Sequence, residues 1–299
     1  MKIAVMVSPR NVSPARSAML RLEAEGYESI GLKFNDRWRI ETHSRFDTIL
    51  GGASHALCIL DRQDSESAWF AYIVGLARGR SMPLALYLLD PGIEPLGWID
   101  DLRVFPDLNA VAEYYLGEGE EWEVKEKRRQ AKSALLELGI SWHAESFAQC
   151  VRDGDTKAAE LFIESGFPPD IREKTGVPML CLAARHKHLS IVELLLEHGA
   201  DIDVQSDDRG YSPLMDAAQQ GDGRLLRYLL DKGANTDLQS KDGQTAIVLA
   251  VGRSDADIVE ALLSGGADPD IADKLGLTAR KYAKLFHDPR IDAALSAGA

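Results

Sequence analysis

The strongest constraint in this 299-residue sequence is a motif that recurs in its C-terminal half at steps of 34 and 33 residues. A glycine-alanine-Asp/Asn tripeptide begins at Gly199, Gly233 and Gly266, and Gly166 begins a weaker copy. An apolar segment precedes each glycine, and a short alanine-rich stretch lies upstream of it. A fixed period of this length is typical of stacked helical repeats. Since one unit cannot bury its apolar face alone, we expect the units to stack into an all-α solenoid.

Motifs within this period resemble those of ankyrin-repeat proteins. The family's Thr-Pro-Leu-His box matches Ser212-Pro213-Leu214-Met215, and degraded copies lie at 178–181 and 245–248. Asp242-Gly243 keeps the dipeptide that opens a unit. The resemblance implies an ankyrin-repeat domain over residues 146–299. Its parts are an N-terminal half-unit (146–174), three full repeats (175–207, 208–241 and 242–274) and a C-terminal cap (275 to about 295).

The resemblance also implies where a partner binds. Ankyrin-repeat proteins usually bind other proteins through their finger tips and the concave face of their inner helices. Tyr211 beside Arg209 is the expected anchor, because Tyr and Arg dominate binding hot spots. The positions carried over as partner-binding residues are Arg185, His186, Asp208, Arg209, Tyr211, Gln219, Gln220, Lys241, Gln244 and Arg253.

Residues 1–117 alternate strand-like and helix-like segments, which predicts an α/β, flavodoxin-like parallel sheet with right-handed crossovers. Continuous apolar runs such as 3–7 and 56–60 are typical of strands covered on both faces. Ligands of such sheets lie beyond the carboxyl ends of the strands. The expected helices are 13–25, 36–50, 65–78 and 107–116, and the candidate ligand-binding residues are Ser8, Arg10, Asp61, Ser65 and Ser67.

The stretch 49–83 resembles the Toll/interleukin-receptor-like (TIR-like) domain and its nucleoside deoxyribosyltransferase relatives. The resemblance rests on the strand at 55–60, on Ser67-Ala68-Trp69 and on Gly75-Leu76-Ala77-Arg78-Gly79. In these relatives a helical glutamate stabilises the positive charge that develops when a bond to ribose breaks.

Alignment on the TIR pattern places that glutamate four residues after Trp69, at Ile73, and alignment on the transferase pattern places it at Ala71, so the catalytic acid is not carried over. Glu66 and Asp61 are the remaining candidates for a catalytic carboxylate.

A charged segment joins the two halves. Gly117-Glu118-Gly119 marks an expected break between the first domain and the segment that follows it. Residues 120–138 then form an expected helix in which acidic residues precede basic ones, the order that the helix dipole favours. The sequence therefore predicts a helical connector over residues 118–145.

Composition narrows the classes of partner. The formal net charge is -13 and the sequence pI is about 5.0, which disfavours nucleic acid or an anionic membrane as the main partner. Cys58, Cys150 and Cys181 are far apart in apolar surroundings, as expected of reduced core cysteines in a cytoplasmic protein. His186 and His188 lack the further ligands of a tetrahedral metal site, so we expect no metal and no cofactor.

These features favour a cytoplasmic, non-enzymatic adaptor or scaffold in signal transduction. Its ankyrin-like stack would bind a protein, and its TIR-like domain would make a second contact. One alternative is an NAD or nucleoside N-glycohydrolase or transferase regulated through the repeats. Another is a sensor that binds a nucleotide-like small molecule at the strand ends without cleaving it.

Overall fold

The computed structural model describes residues 1–34, 50–90 and 102–297. The chain divides into two compact units, Met1–Glu126 and Lys127–Ala299. The predicted helix over 36–50 lies outside the described residues except for Leu50.

The first unit contains a five-stranded sheet in which every neighbouring pair is parallel. The strand order is β2-β1-β3-β4-β5. Ile3 of β1 pairs with Ser29 on one side and with His55 on the other. The strands are β1 (Lys2–Val7), β2 (Glu28–Lys33), β3 (His55–Leu60), β4 (Leu84–Leu88) and β5 (Arg103–Phe105).

Strands β1 and β3 are buried on both faces, as their continuous apolar runs predict. In β1, Ala4 and Met6 point into one hydrophobic cluster, while Ile3 and Val5 point into another. Strand β3 alternates in the same way, and all of its residues are buried. Period-two alternation therefore places an apolar side chain on each face, and helices on both sides can cover the sheet.

Some helix starts in the first unit differ from the prediction. The helix expected at Ser13 begins at Val12, after a 3-10 turn at Pro9–Asn11. The helix expected over 65–78 begins only at Ala68, and Ser65 belongs to a separate short helix. The Asp61 carboxylate caps that short helix by accepting the Asp64 amide at 2.9 Å. The helices are α1 (Val12–Ala24), α2 (Arg62–Ser65), α3 (Ala68–Gly79) and α4 (Leu108–Glu137).

The predicted break at Gly117-Glu118-Gly119 is wrong, because α4 continues through both glycines. Each glycine costs only about 1 kcal/mol relative to alanine in a helix interior, and good helix formers flank this pair. Gly119 also permits a close approach: a Cβ there would lie 2.7 Å from the Tyr27 hydroxyl. The residues predicted to form a separate connector thus begin inside a continuous helix.

The second unit repeats one helix pair five times. The segments predicted as a half-unit and as a cap each contain a pair. The inner helices are α5 (Ala144–Asp153), α7 (Met179–Arg185), α9 (Pro213–Gln220), α11 (Ala246–Gly252) and α13 (Ala279–Phe286). The outer helices are α6 (Thr156–Glu164), α8 (Leu189–Glu197), α10 (Gly223–Asp231), α12 (Ala256–Ser264) and α14 (Pro289–Ala297).

One hydrophobic core runs through all five pairs and contains buried Cys150 and Cys181. The fingers between successive repeats are joined by side chains at equivalent positions. Gln205 Nε2 donates to the carbonyls of Gly210, in its own finger, and of Gln239, in the next one, at 2.7 and 2.9 Å. These bonds satisfy finger carbonyls that the helices leave unpaired. Stacking thus gives a rigid frame with one face formed by inner helices and fingers.

Candidate functional site

A groove of about 240 Å³ opens on the inner-helix side of the second unit. It extends over three successive repeats, from the end of α9 past α11 to the end of α13. We call it the inner-face groove. Its lining residues are Tyr211, Gln219, Gln244, Val248, Leu249, Gly252, Arg253, Tyr282 and Phe286.

The repeat period places one row of side chains beside this groove. Gln220, Arg253 and Phe286 are 33 residues apart, at or just after the ends of successive inner helices. Equivalent positions of stacked repeats lie next to one another. The row therefore presents an amide, a guanidinium and a phenyl ring in order along the stack.

The aromatic end of the groove is exposed. Phe286 keeps 50% of its surface accessible and stacks on Tyr282 with ring centroids 6.1 Å apart. The Tyr282 hydroxyl donates to Asp273 at 2.6 Å, and this hydrogen bond raises the pKa of Tyr282. Leu249 also lines the groove and is nearly buried. An apolar side chain of a ligand could bury surface here and gain about 25 cal/mol per Å².

Arg253 supplies the charge of the groove. Its Nη1 donates to the Gln219 carbonyl at 3.0 Å, which holds the exposed guanidinium at the groove edge. Among the described residues that line the groove, Arg253 is the one cation and none is a carboxylate. The arrangement suits a carboxylate ligand, because guanidinium can bind it in bidentate geometry.

Tyr211 is a wall of the groove rather than an exposed anchor. Its accessible surface is 8%, and burial raises its pKa. The Arg209 guanidinium lies over its ring, 4.6 Å from the centroid, and the Tyr211 hydroxyl is 3.5 Å from Gln244 Oε1. The exposed aromatic residue is Phe286, which the sequence analysis assigned to the cap. Binding by Tyr211 and Arg209 stays a prediction.

Arg185 and Asp208 are joined in an internal ion-pair network, and partner binding by them stays a prediction. The Arg185 side chain is 13% exposed, and its Nε donates to both carboxylate oxygens of Asp216 at 2.9 and 3.0 Å. Its Nη atoms donate to Asp208 at 2.7 and 3.0 Å and to Ser206 at 3.0 Å. These bonds fix the finger that follows α8.

The network shifts the two carboxylates in opposite directions. Hydrogen bonds from Arg185 hold the pKa of Asp208 well below its ordinary value. Burial raises the pKa of fully buried Asp216 to about 7, although Arg185 and Arg209 act against this rise. Sequence reasoning missed Asp216 because it lies in the alanine-rich stretch of its repeat. A charged residue inside such a stretch was the available signal.

The other predicted partner-binding residues lie on the same side of the stack. His186 is exposed and stacks on His188 with centroids 6.2 Å apart. Partial burial and the His188 ring lower the pKa of His186. Lys241 is exposed, and its Nζ donates to the Asp207 carbonyl. Gln220 is half-buried.

At the carboxyl ends of β1 and β3 in the first unit, predicted residues do come together. Arg10 pairs with Asp64 at 2.8 Å and with Asp61 at 3.5 Å. Asn11, which sequence reasoning missed, donates to Asp61 at 2.9 Å, to Asp64 at 2.8 Å and to Ser8 at 3.3 Å. We call these five residues the rim cluster. The buried Asp64 carboxylate is thus paired within the protein.

The Asp61 carboxylate of the rim cluster is suited to accept hydrogen bonds rather than to donate a proton as a general acid. Burial alone would raise the pKa of Asp61, but hydrogen bonds from Asn11 and from the Asp64 amide, with the charge of Arg10, lower it. A general acid at neutral pH needs the opposite shift, whereas a carboxylate that stabilises positive charge must stay ionised, so the lowered pKa argues against Asp61 only as a general acid.

Two serines beside the rim cluster are also engaged locally. Ser65 Oγ donates to the Arg62 carbonyl at 2.9 Å, and Ser67 Oγ donates to the Asp64 carbonyl at 2.5 Å. Glu66 is exposed at the end of α2. Ile73, one of the two positions aligned with the relatives' glutamate, is buried in the core.

Residues 1–34, 50–90 and 102–297 contain neither a metal-binding cluster nor a helix that could span a membrane. Among these residues, no cluster of three or more His, Cys, Asp or Glu could hold a metal ion. No helix among them has the length and apolarity needed to cross a membrane.

Comparison with known proteins identifies the repeats. The family described as "Ankyrin repeats (3 copies)" matches residues 147–240 and 214–288. A putative ankyrin repeat-containing protein of Treponema pallidum is 36% identical over 239 residues, which are 80% of this chain and 80% of that protein. Because residues 127–299 are fewer than 239, this similarity extends into the first unit.

Other relatives match over shorter stretches. Ankyrin repeat and SAM domain-containing protein 6 of Mus musculus is 40% identical over 82 residues, 27% of this chain and 9% of that protein. Dauer abnormal formation protein 25 of Caenorhabditis elegans is 32% identical over 102 residues, 34% of this chain and 26% of that protein. With its stacked helix pairs and a relative that is similar over most of both lengths, this chain belongs to the ankyrin repeat-containing proteins.

Proposed function

We propose that this protein is a binding adaptor that holds a partner protein in the inner-face groove. The observation that carries the proposal is the half-exposed Phe286 ring beside the exposed Arg253 guanidinium. Aromatic and arginine side chains are enriched among the residues that dominate binding energy. The groove is preformed on stacked helices, so a partner need not spend free energy on ordering a loop.

The same proposal covers the first unit, as a flavodoxin-like, TIR-like domain that makes a second contact. Its parallel strand order, β2-β1-β3-β4-β5, supports the flavodoxin-like assignment. Pairing of Asp61 and Asp64 with Arg10 and Asn11 favours a structural role for the rim cluster over sugar cleavage.

Site-specific photocrosslinking tests the adaptor proposal. A photoreactive phenylalanine analogue replaces Phe286 in the full chain, and a matched variant carries it at exposed Glu260 on outer helix α12. After irradiation in the native cell, we expect one discrete protein adduct at position 286 and none at position 260. The adduct should disappear when Arg253→Glu is added. Equal adducts at both positions, or none at position 286, would overturn the proposal.

A further inference from the structure

Charge in the second unit is divided between its two sides. The inner helices with their turns and fingers carry 12 Lys/Arg and 8 Asp/Glu, a net charge of +4. The outer helices with their loops carry 5 Lys/Arg and 18 Asp/Glu, a net charge of -13. The first set, which we call the inner-face set, comprises residues 144–153, 172–187, 205–221, 239–254 and 272–287; the second is the remainder of 144–297.

Several carboxylates of the inner-face set are neutralised within the protein. Asp208 and Asp216 pair with Arg185, and Glu173 pairs with Arg152. Asp273 accepts a hydrogen bond from Tyr282. Because the cations of these ion pairs belong to the same set, the pairing leaves its net charge of +4 unchanged.

Cations of the same set are exposed. Arg253 borders the inner-face groove, Lys241 and Lys274 lie on neighbouring fingers, and Lys284 is on α13 with Phe286. Exposed Asp242 adjoins Lys241 on its finger, but Arg253 is the one charged side chain among the described residues that line the groove, so the charge within the groove is positive although the protein as a whole is acidic. Complementary potentials steer partners and reject those of like charge.

We propose that the inner-face groove binds an acidic protein segment with one large apolar side chain. This inference rests on the proposed function and names the chemistry of its partner. The apolar side chain packs on Phe286 and Leu249, while a flanking carboxylate pairs with Arg253. Extension of the groove along three repeats suits an extended chain. A nucleic acid fits less well, because a phosphate backbone needs several cations along its length, whereas Arg253 is the one cation among the described residues that line the groove.

Selection from a random-peptide phage library on the immobilised full-length protein tests the proposal. We expect the enriched peptides to carry Asp or Glu next to Phe, Trp or Leu. Synthetic copies of them should bind on the order of 10-fold more weakly in high salt than in low salt, because salt screens exposed charges. Enriched peptides without acidic bias would overturn this inference and leave the adaptor proposal intact.

Two pairs of variants locate the binding surface. Arg253→Glu should weaken the selected peptides on the order of 10-fold or more, while Arg224→Glu on outer helix α10 should change binding less than about twofold. Phe286→Ala should also weaken binding, and Leu136→Ala, at another exposed apolar residue, should not. Circular dichroism melting curves check that each variant is folded. Equal effects of the two arginine variants would overturn the assignment.

Two further outcomes are decisive. Absence of enriched peptides would overturn the inference, while crosslinking at position 286 still tests the adaptor proposal separately. A fluorescent single-stranded oligonucleotide should bind negligibly. If it bound in an Arg253-dependent manner as tightly as the peptides, the groove would be a nucleic-acid site and the proposal would be wrong.

Discussion

Removing Arg185 should destabilise the second unit more than removing an ordinary surface cation. In Arg185→Leu, the fully buried Asp216 carboxylate keeps one partner, Arg209, whose Nη2 is 3.5 Å away on a side chain that is 45% exposed. Breaking one side of a buried ion pair costs roughly 3–5 kcal/mol, and partial compensation by Arg209 favours the lower end. A loss of about 3 kcal/mol accelerates amide exchange through global opening by roughly 100-fold.

The pH dependence of this loss distinguishes a buried charge from lost packing. The pKa of Asp216 is already about 7 because burial outweighs its partners, and loss of Arg185 raises it further. A carboxyl whose folded pKa lies above its unfolded value binds its proton more tightly when folded. It therefore stabilises the fold in acid, and this contribution is lost as the pH rises through the folded pKa. The deficit of Arg185→Leu should consequently be larger at pH 8 than at pH 5.

Hydrogen–deuterium exchange of the full chain, read at the core amides of α7 and α9 and corrected for intrinsic rates, measures this effect. The matched control is Arg185→Leu/Asp216→Leu, since the equivalent positions of Asp216 in neighbouring repeats are the buried leucines Leu182 and Leu249. The double variant should come within about 1 kcal/mol of the wild type, with little pH dependence. A double variant as unstable as the single one, or a deficit equal at both pH values, would refute the reasoning.

Three further expectations concern other parts of the chain. Ser254 has a φ of 56°, and Gly221, at the equivalent position of the preceding repeat, has a φ of 71°. Ser254→Gly should therefore raise the free energy of unfolding by about 0.5–1 kcal/mol, and Gly221→Ser should lower it by about 1–2 kcal/mol. Urea titration measures both changes, and changes of the same sign would contradict the argument. Arg10→Ala leaves the buried Asp64 carboxylate without its cation and should cost the first unit roughly 1–3 kcal/mol in the same assay; an unchanged midpoint would show that the ion pair is dispensable. Purified protein incubated with NAD or nucleosides should release no free base, and release that Glu66→Gln abolishes would establish the enzymatic alternative.

The repeat architecture could be predicted because each unit carries the same local signals. Gly199, Gly233 and Gly266 all have positive φ, at 87°, 85° and 93°, as a glycine that ends a helix requires. Independent copies of one signal confirm one another. The break predicted near Gly119 had no second copy, and the glycine there is explained by Tyr27, about 90 residues away in sequence, whose hydroxyl would lie 2.7 Å from an added Cβ.

The lining of the inner-face groove could be predicted only in part. Tyr211, Gln219, Gln244 and Arg253 do line the groove, because the repeat period alone determines which positions face the inner side. The ion pair of Arg185 could not be anticipated, since Asp216 is 31 residues away and its burial depends on how repeats stack. Sequence spacing gives the face of a helix, whereas the choice between a free side chain and a paired one depends on tertiary contacts.

The stack does not require every residue that lines the groove, although Tyr211, Val248 and Leu249 belong to its core. Core positions such as Ala218 and Val251 must be small or apolar for the helices to pack, and they are fully buried. The row beside them, Gln220, Arg253 and Phe286, is free to vary without loss of core packing. Nine of the 18 acidic residues on the outer side accept backbone amides at helix starts and in the fingers, so their position there serves the fold. The half-exposed Phe286 ring at the groove has no such role, and its exposed apolar surface is a cost in free energy that a bound acidic partner would offset.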